Sequence, residues 1–354
     1  MICLKINNKS NYGLFFVIIN MSGEFMENIE IQSFNKRIGL NTDLRNISKI
    51  ICERYDLGDF ISNDVITVGY EDYNYCLKTS KGKYFVKIFS KERKKDDVEG
   101  YLDRIRIVSK SNVSSPRPLE VNNDIVLSFD YNDNHYDLCV FEYIDGKNFS
   151  QIGTINDDII KEVARQIAMI HDLDIVPNFI YDSWAIINFE EQYTLKCNYL
   201  DDIYKEKFSQ LLTEFKNVDF NKLPKAFVHG DIRSANTMLD NNGRLWIVDF
   251  AVSNYLPRII DLAVTACDMC LNRDSRDKTC ENIVLLLREY NKYHSLTDYE
   301  LEVFKLFYRL VNAMYILQTQ YYIKEFGDSE ENQDLLSRGI FGYKLSKDEK
   351  FNRI

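Results

Sequence analysis

Apolar residues recur along this chain in two rhythms, and the change between them divides it. From about Leu40 to Ile144 the dominant period is two. ITVGYEDYNYCLKTS and KYFVKIF alternate apolar and polar positions, and the Lys81-Gly82 link between them suits a tight turn, which predicts antiparallel strands. DIVLSFDY and YDLCVFEYI add two more strands after an SPRP loop whose prolines interrupt regular structure. Two helices accompany them. NISKIICERYDLG places Ile47, Ile50, Ile51 and Tyr55 on one face and ends at Gly58, a residue suited to a left-handed cap. DDVEGYLDRIRIV opens with acids in its first turn and carries Val98, Leu102, Ile105 and Val108 at helical spacing.

Beyond Gly146, in DGKNF, the period lengthens to that of helices. DDIIKEVARQIAMIHDL aligns Ile160, Val163, Ile167 and His171, and ELEVFKLFYRLVNAMYILQTQYY aligns Phe304, Phe307, Val311 and Met314. Between these helices lie two short strands, around FVH and RLWIVDF, joined through the turn sequence DNNGR and read as a hairpin. The pattern predicts an α+β chain of two lobes. A small antiparallel β lobe spans 40–145 and a larger, mostly helical lobe spans 146–354, with residues 1–39 as an N-terminal extension.

Composition narrows the function classes. With 354 residues, 45% of them hydrophobic and 28% charged, the chain has the make-up of a soluble protein large enough for two cores. Its 54 acids against 44 bases, a net charge of -10, argue against binding nucleic acid through phosphates. The same balance serves solubility first and a preference for cationic small molecules second. Eight cysteines scattered through apolar segments, with no secretion signal, read as free thiols in a reducing, cytoplasmic setting. Cys267 and Cys270 form a CxxC, but within a helical segment and without a second pair to complete a zinc site. YGLFFVIIN is far short of the ~20 residues that span a bilayer. An added strand and a loose extension are both open for it, as are starts at Met21 or Met26.

The candidate chemistry lies in FVHGDIRSANTMLDNNGRLWIVDFAV. Asp231 follows a strand, Asn236 comes five residues later, and Asp249 ends the next strand, so three oxygen-bearing groups are able to meet in one cavity. A carboxylate and an amide oxygen suit magnesium, a hard ion that keeps waters and bridges nucleotide phosphates. The remaining carboxylate suits a base for an attacking hydroxyl, and that division of labour is phosphoryl transfer. Aspartates that merely cap turns would not predict the companion Asn.

His229-Gly230-Asp231 with Asn236, then Asp249-Phe250-Ala251, keeps the spacing of the protein-kinase catalytic loop and D-F-G, with Gly for Arg and Ala for Gly. Together with IIDLA at Ile259 to Ala263, these motifs make the sequence resemble the aminoglycoside phosphotransferase and homoserine or choline kinase-like group, small-molecule kinases with a protein-kinase-like fold. The resemblance runs from roughly Leu40 to Leu345. It implies Asp231 as catalytic base and Asn236 and Asp249 as ligands of Mg2+. It implies Lys87 in YFVKIF as the contact to the α and β phosphates of ATP or GTP, with Glu99 on the following helix as its ion-pair partner. Gly69 is the one glycine of the phosphate-covering segment VGYEDYNY, where protein kinases have three. Glu142 and Tyr143 in FEYIDG fall where backbone groups meet adenine. His229 props the loop and His171 packs near it, neither in a chemical role.

Asp249 reaches Asp261 in twelve residues with no A-P-E following, so a platform for a peptide substrate is missing. A small-molecule hydroxyl acceptor is the first expectation, aminoglycoside-like compounds ahead of choline, homoserine and methylthioribose. An atypical protein kinase and an inactive nucleotide-binding scaffold are the alternatives. Acids beyond Asp261, among them Asp268, Glu289 and Glu300, suit a cationic acceptor, and Tyr308, Tyr315, Tyr321 and Tyr322 suit a quaternary ammonium. At helical spacing the same residues serve as solvated faces and core.

Overall fold

The computed structural model describes residues 35–66 and 72–351. Gly69 therefore lies outside the described residues.

The period-two region forms five antiparallel strands: β1 (Phe60–Ile66), β2 (Tyr73–Thr79), β3 (Gly82–Ile88), β4 (Leu127–Tyr131) and β5 (Asn134–Glu142), in the order β1-β2-β3-β5-β4. The turn at Ser80-Lys81 sets the β2–β3 register, which places Thr79 opposite Gly82 and Asn74 opposite Lys87. One sheet face buries Tyr75, Leu77, Val86, Leu138 and Val140 against α1 (Leu44–Arg54). Leu44, Ile47, Ile51 and Cys52 form the buried stripe of that helix, whereas Ile50 and Tyr55 are only half-buried. Asp43 caps α1 by accepting from the Arg45 N–H. The other face carries α2 (Lys95–Ser109), whose Tyr101, Leu102 and Ile105 pack toward Phe89, Cys139 and Phe141. Burying a side chain of this size contributes about 1.5–3 kcal/mol, so the sheet is held from both faces.

Past Glu142 the chain crosses to the helical lobe and forms β6 (Gly146–Asn148), which pairs with β8 (Thr237–Asp240). A Cβ on Gly146 would sit 2.3 Å from the Leu239 carbonyl oxygen, so the close crossing needs glycine. The helices are α3 (Phe149–Ile152), α4 (Asp157–His171), α5 (Phe189–Lys196), α6 (Asp202–Lys216), α7 (Ile259–Asp268), α8 (Arg276–Tyr290), α9 (Asp298–Phe326) and α10 (Glu330–Leu345). Helix α9, 29 residues long and opened by a Thr297–Glu300 capping box, is the spine of this lobe. Among the described residues no helix is long and apolar enough to cross a membrane.

The expected hairpin of FVH with RLWIVDF does not form. β7 (Lys225–Val228) pairs with β10 (Asn254–Pro257), while β9 (Leu245–Ile247) pairs with β8 through the DNNGR turn. The HGDIRSAN loop lifts the chain from one small sheet to the other, and the two are joined instead through the His229 ring, which contacts the Val248 carbonyl. Buried Arg104 of α2 ties the lobes together by donating to the carbonyls of Ser253 (2.8 Å) and Asn178 (2.6 Å).

Candidate active site

The loop after β7 is built around an acid that sequence reading quoted in IIDLA but gave no role. Asp261, in the first turn of α7, is the carboxylate of a helix whose ten residues are all buried. Its Oδ2 accepts from the His229 N–H at 2.8 Å and its Oδ1 from the Gly230 N–H at 2.7 Å. His171 Nε2 reaches Oδ2 at 3.1 Å, and His171 Nδ1 meets the Tyr290 hydroxyl at 2.8 Å. Burial pushes the Asp261 carboxyl up, but the His171 hydrogen bond, the neighbouring histidine rings and the Gly230 N–H together hold it below the usual carboxylate range. An acid set in the apolar run from Ile259 to Val264 was the available signal.

Gly230 has φ +85°, and a Cβ there would stand 3.2 Å from the Val252 carbonyl, which accounts for glycine where protein kinases carry Arg. His229 accepts from the Asp231 N–H through Nδ1 (3.1 Å) and contacts the Val248 carbonyl through Nε2 (3.1 Å), so the ring braces the loop on both sides. Phe250 is fully buried, stacked on Phe227 and 4.6 Å from the His229 ring. With Phe250 anchored, Asp249 takes φ +69° and keeps an exposed side chain whose Oδ1 accepts from the Ala251 N–H at 3.4 Å. Such a conformation costs an L-residue about 1–2 kcal/mol and is held by the packing around it.

Asn236 donates through Nδ2 to the Asp231 carbonyl (3.0 Å) and carboxylate (2.7 Å). Its Oδ1 makes no hydrogen bond among the described residues, and its carbonyl accepts from the Val248 N–H, one residue before Asp249. Asn236 and Asp249 thus stand on neighbouring stretches of backbone. Among the described residues no group of three or more His, Cys, Asp or Glu forms a metal cage. A donor pair of one amide and one carboxylate fits an ion that completes its shell with phosphate oxygens and water, as Mg2+ does.

Lys87 approaches from β3. Its nearest acid is not Glu99 but Asp72, 3.2 Å away and 2% exposed. Asp72 also accepts from Arg93 Nη1 (2.6 Å) and from the Ser90 N–H (3.2 Å). Glu99, 60% exposed, pairs with Lys95 at 3.6 Å on its own helix. The expected Lys87–Glu99 pair is absent because α2 turns Tyr101 inward: its ring lies 5.5 Å from Lys87 Nζ. Asp72 was reachable by register, since it sits two residues ahead of Asn74, the partner of Lys87 across β2–β3, and so shares that face. Burial disfavours charge on Lys87, but the neighbouring Tyr101, Asp72 and Asp249 outweigh it and hold its pKa above that of a free lysine. Lys87 and Asp249, from different lobes, are thus within electrostatic reach of each other.

Glu142 and Tyr143 stand at the lobe junction. The Glu142 N–H donates to the Arg117 carbonyl (3.0 Å) and its carboxylate accepts from the Arg117 N–H (2.9 Å), so this residue closes the N-terminal sheet. Tyr143 is half-buried with Lys83 5.5 Å from its ring centre. The acids beyond Asp261 divide. Asp268 is buried against Ser234 and Arg338, and Glu300 is buried against Arg258 and the α9 cap, so neither is a free acceptor contact. Tyr308 is core, and the Tyr321 ring already carries Lys196 Nζ at 4.4 Å. Sequence reading also missed Arg233, which forks onto Asp231 through Nε and Nη2, the latter at 2.9 Å.

Residues 64–295 match the phosphotransferase enzyme family. A homoserine kinase of Bartonella tribocorum is 22% identical over 293 residues, covering 79% of this chain and 87% of the relative. Among solved structures, an amicoumacin kinase in complex with AMP-PNP and Ca2+ superposes with TM-score 0.66 at 17% identity, covering 90% of this chain and 99% of that one. Choline kinase LicA from Streptococcus pneumoniae superposes with TM-score 0.57 at 16% identity, covering 84% and 99%. These likenesses establish a protein-kinase-like fold. With the matched residues running through both lobes and taking in Asp72, Lys87, the HGDIRSAN loop, Asp249 and Asp261, the chain belongs to the phosphotransferase enzyme family and is a small-molecule phosphotransferase.

Proposed function

We propose that the protein transfers the γ-phosphate of ATP or GTP to a hydroxyl of a small molecule, with Mg2+ as cofactor. The observation that supports this reading is the contact of Asn236 with Asp231 next to the Val248 N–H bond that brings Asp249 beside Asn236, with Lys87 of the other lobe in electrostatic reach of Asp249. Asp231 takes the acceptor proton as the acceptor oxygen bonds to the γ-phosphorus and the bond to the β–γ bridging oxygen breaks. Lys87, held by Asp72, meets the phosphates, and the Tyr143 segment meets the base. Asn236 and Asp249 would hold Mg2+, which neutralises phosphate charge when bound.

For the acceptor, the homoserine kinase relatives support a small hydroxyl-bearing amino compound, and the amicoumacin and choline kinase neighbours share only the fold. The present geometry weakens the cationic-antibiotic preference, because Asp268 and Glu300 are spent inside the lobe. The reading predicts Mg2+-dependent nucleotide turnover that requires a hydroxyl acceptor. The Asp231→Asn variant should lose about 10²–10⁴-fold in kcat while still binding nucleotide. Full turnover by that variant on the same acceptor would sink the assignment of the base. Labelled phosphate on Ser or Thr of proteins would favour a protein kinase instead.

A further inference from the structure

Asp231 is not ready to act as a base in the ligand-free protein. Arg233 occupies both of its oxygens through Nε and Nη2, and Asn236 adds a third donor to Oδ2 at 2.7 Å. An acceptor hydroxyl has to compete with a guanidinium fork for the same lone pairs. A guanidinium fork is drawn off a carboxylate by another anion that accepts it bidentately, a second carboxylate or a phosphate.

The surroundings of Arg233 hold the other parts of a binding site. The Tyr315 hydroxyl, on α9, is buried and has no hydrogen-bond partner among the described residues. It lies within electrostatic reach of Arg233, Asp231 and Asp268. Arg338 of α10 stands on the far side, bound to Asp268 through Nη1 (2.8 Å) and to Asp334 through Nε (2.7 Å), and it too feels Tyr315. Arg233 Nη1 and Arg338 Nη2 make no hydrogen bond among the described residues, and both side chains are about a quarter exposed. The carboxylates here are all engaged: Asp231 by Arg233, Asp268 by Ser234 and Arg338, Asp334 by Arg338 and Arg273. What the cluster offers a ligand is N–H and O–H donors. A buried tyrosine hydroxyl left without a partner costs about 1–3 kcal/mol, a cost removed by a ligand atom that accepts from it.

We infer that the acceptor carries a carboxylate beside its hydroxyl, and that Arg233 and Tyr315, backed by Arg338, receive it. This rests on the phosphotransferase reading above and deepens it. Binding of the carboxylate turns Arg233 away from Asp231, so the same contact that selects the acceptor frees the base for the acceptor hydroxyl. An alcohol lacking the carboxylate leaves the fork in place. Arg233 is thereby a specificity residue and Tyr315 a positioning residue.

The test uses matched acceptors: L-homoserine against 3-aminopropan-1-ol, which is the same chain without the carboxylate, and L-serine against ethanolamine. The wild-type protein with Mg2+ and ATP should favour the hydroxy acid of a pair by about 10–100-fold in kcat/KM, the worth of one or two charge-assisted hydrogen bonds. Arg233→Gln should erase that preference by slowing the hydroxy acid and, with the fork gone from Asp231, speeding the amino alcohol. Tyr315→Phe, which removes only a partnerless hydroxyl, should raise KM for the hydroxy acid several-fold with kcat nearly kept and the melting temperature raised rather than lowered. Equal or better turnover of the carboxylate-free member, or of choline or an aminoglycoside alone, overturns the inference while the kinase reading stands. An equal loss on both members in Arg233→Gln overturns it in favour of a role for Arg233 on the nucleotide phosphate. No nucleotide binding and no phosphorylation of any acceptor would remove the kinase reading and this inference together.

Discussion

The two sides of the cleft fix their charged groups by different means. In the helical lobe, the Asp261 carboxylate is fully buried and binds backbone N–H groups of the HGD loop, with His171 and Tyr290 behind it. In the β lobe, Asp72 balances two cations, Lys87 and Arg93. Backbone donors cannot be exchanged or rotated away, so the loop that aims Asp231 is rigid. A charge-to-charge contact adjusts when new negative charge comes near Lys87, and on the proposed reading nucleotide phosphates would bring that charge. One side sets geometry and the other answers to the ligand.

That contrast is open to direct attack. Asp261→Asn strikes the rigid side and should show the largest stability effect after loss of the base itself, about 3–5 kcal/mol in denaturant unfolding, with activity falling in parallel. A loss under about 0.5 kcal/mol would mean that the loop holds itself. The pH dependence has a definite sign: the folded pKa of Asp261 is below its unfolded value, so its contribution is present above the ordinary carboxylate pKa of about 3.9 and is lost as pH falls through the folded value. The wild-type protein should therefore lose stability on acidification more steeply than Asp261→Asn. Gly230→Ala should cost about 1–3 kcal/mol, because the new Cβ meets the Val252 carbonyl in a left-handed conformation. On the adjustable side, Asp72→Asn should raise the nucleotide KM about 10-fold with a modest shift in melting temperature, since one of two buried cations keeps a polar partner. Glu99→Gln should change neither KM nor stability by more than about 0.5 kcal/mol, as befits an exposed pair. A reversal of these last two results would return the ion-pair role to Glu99.

Much of the site was legible because its parts are near neighbours in the chain. Asp231, Asn236 and Asp249 are fixed by a loop and two short strands, so spacing alone brought them together on the page. For Lys87 the alternation of YFVKIF gave only the face of the strand, and the resemblance gave the candidate role. Its partner was not legible: helical position made Glu99 eligible, and only the packing of Tyr101 into the sheet turned Glu99 to solvent and left Asp72 with the lysine. The FVH–RLWIVDF hairpin failed for a related reason. Turn chemistry in DNNGR correctly predicted a hairpin, but the short segment Thr237–Asp240 competes for the partner role and wins by being adjacent. Arg233 carried no local signal, because its meaning is the distance to a carboxylate two residues away and to Tyr315 of α9.

What the sequence determined by itself was local: the two hydrophobic periods, hence an α+β chain of two lobes, and a motif whose spacing names phosphoryl transfer. The tertiary structure decided the long-range pairings: Asp261 with the loop 31 residues before it, and Arg104 with a carbonyl 149 residues away. It likewise joined Asp268 of α7 to Arg338 of α10. Periodicity and turns follow from each residue and its neighbours, whereas the partner of a buried charge follows from which side chains are left facing it once the cores have packed.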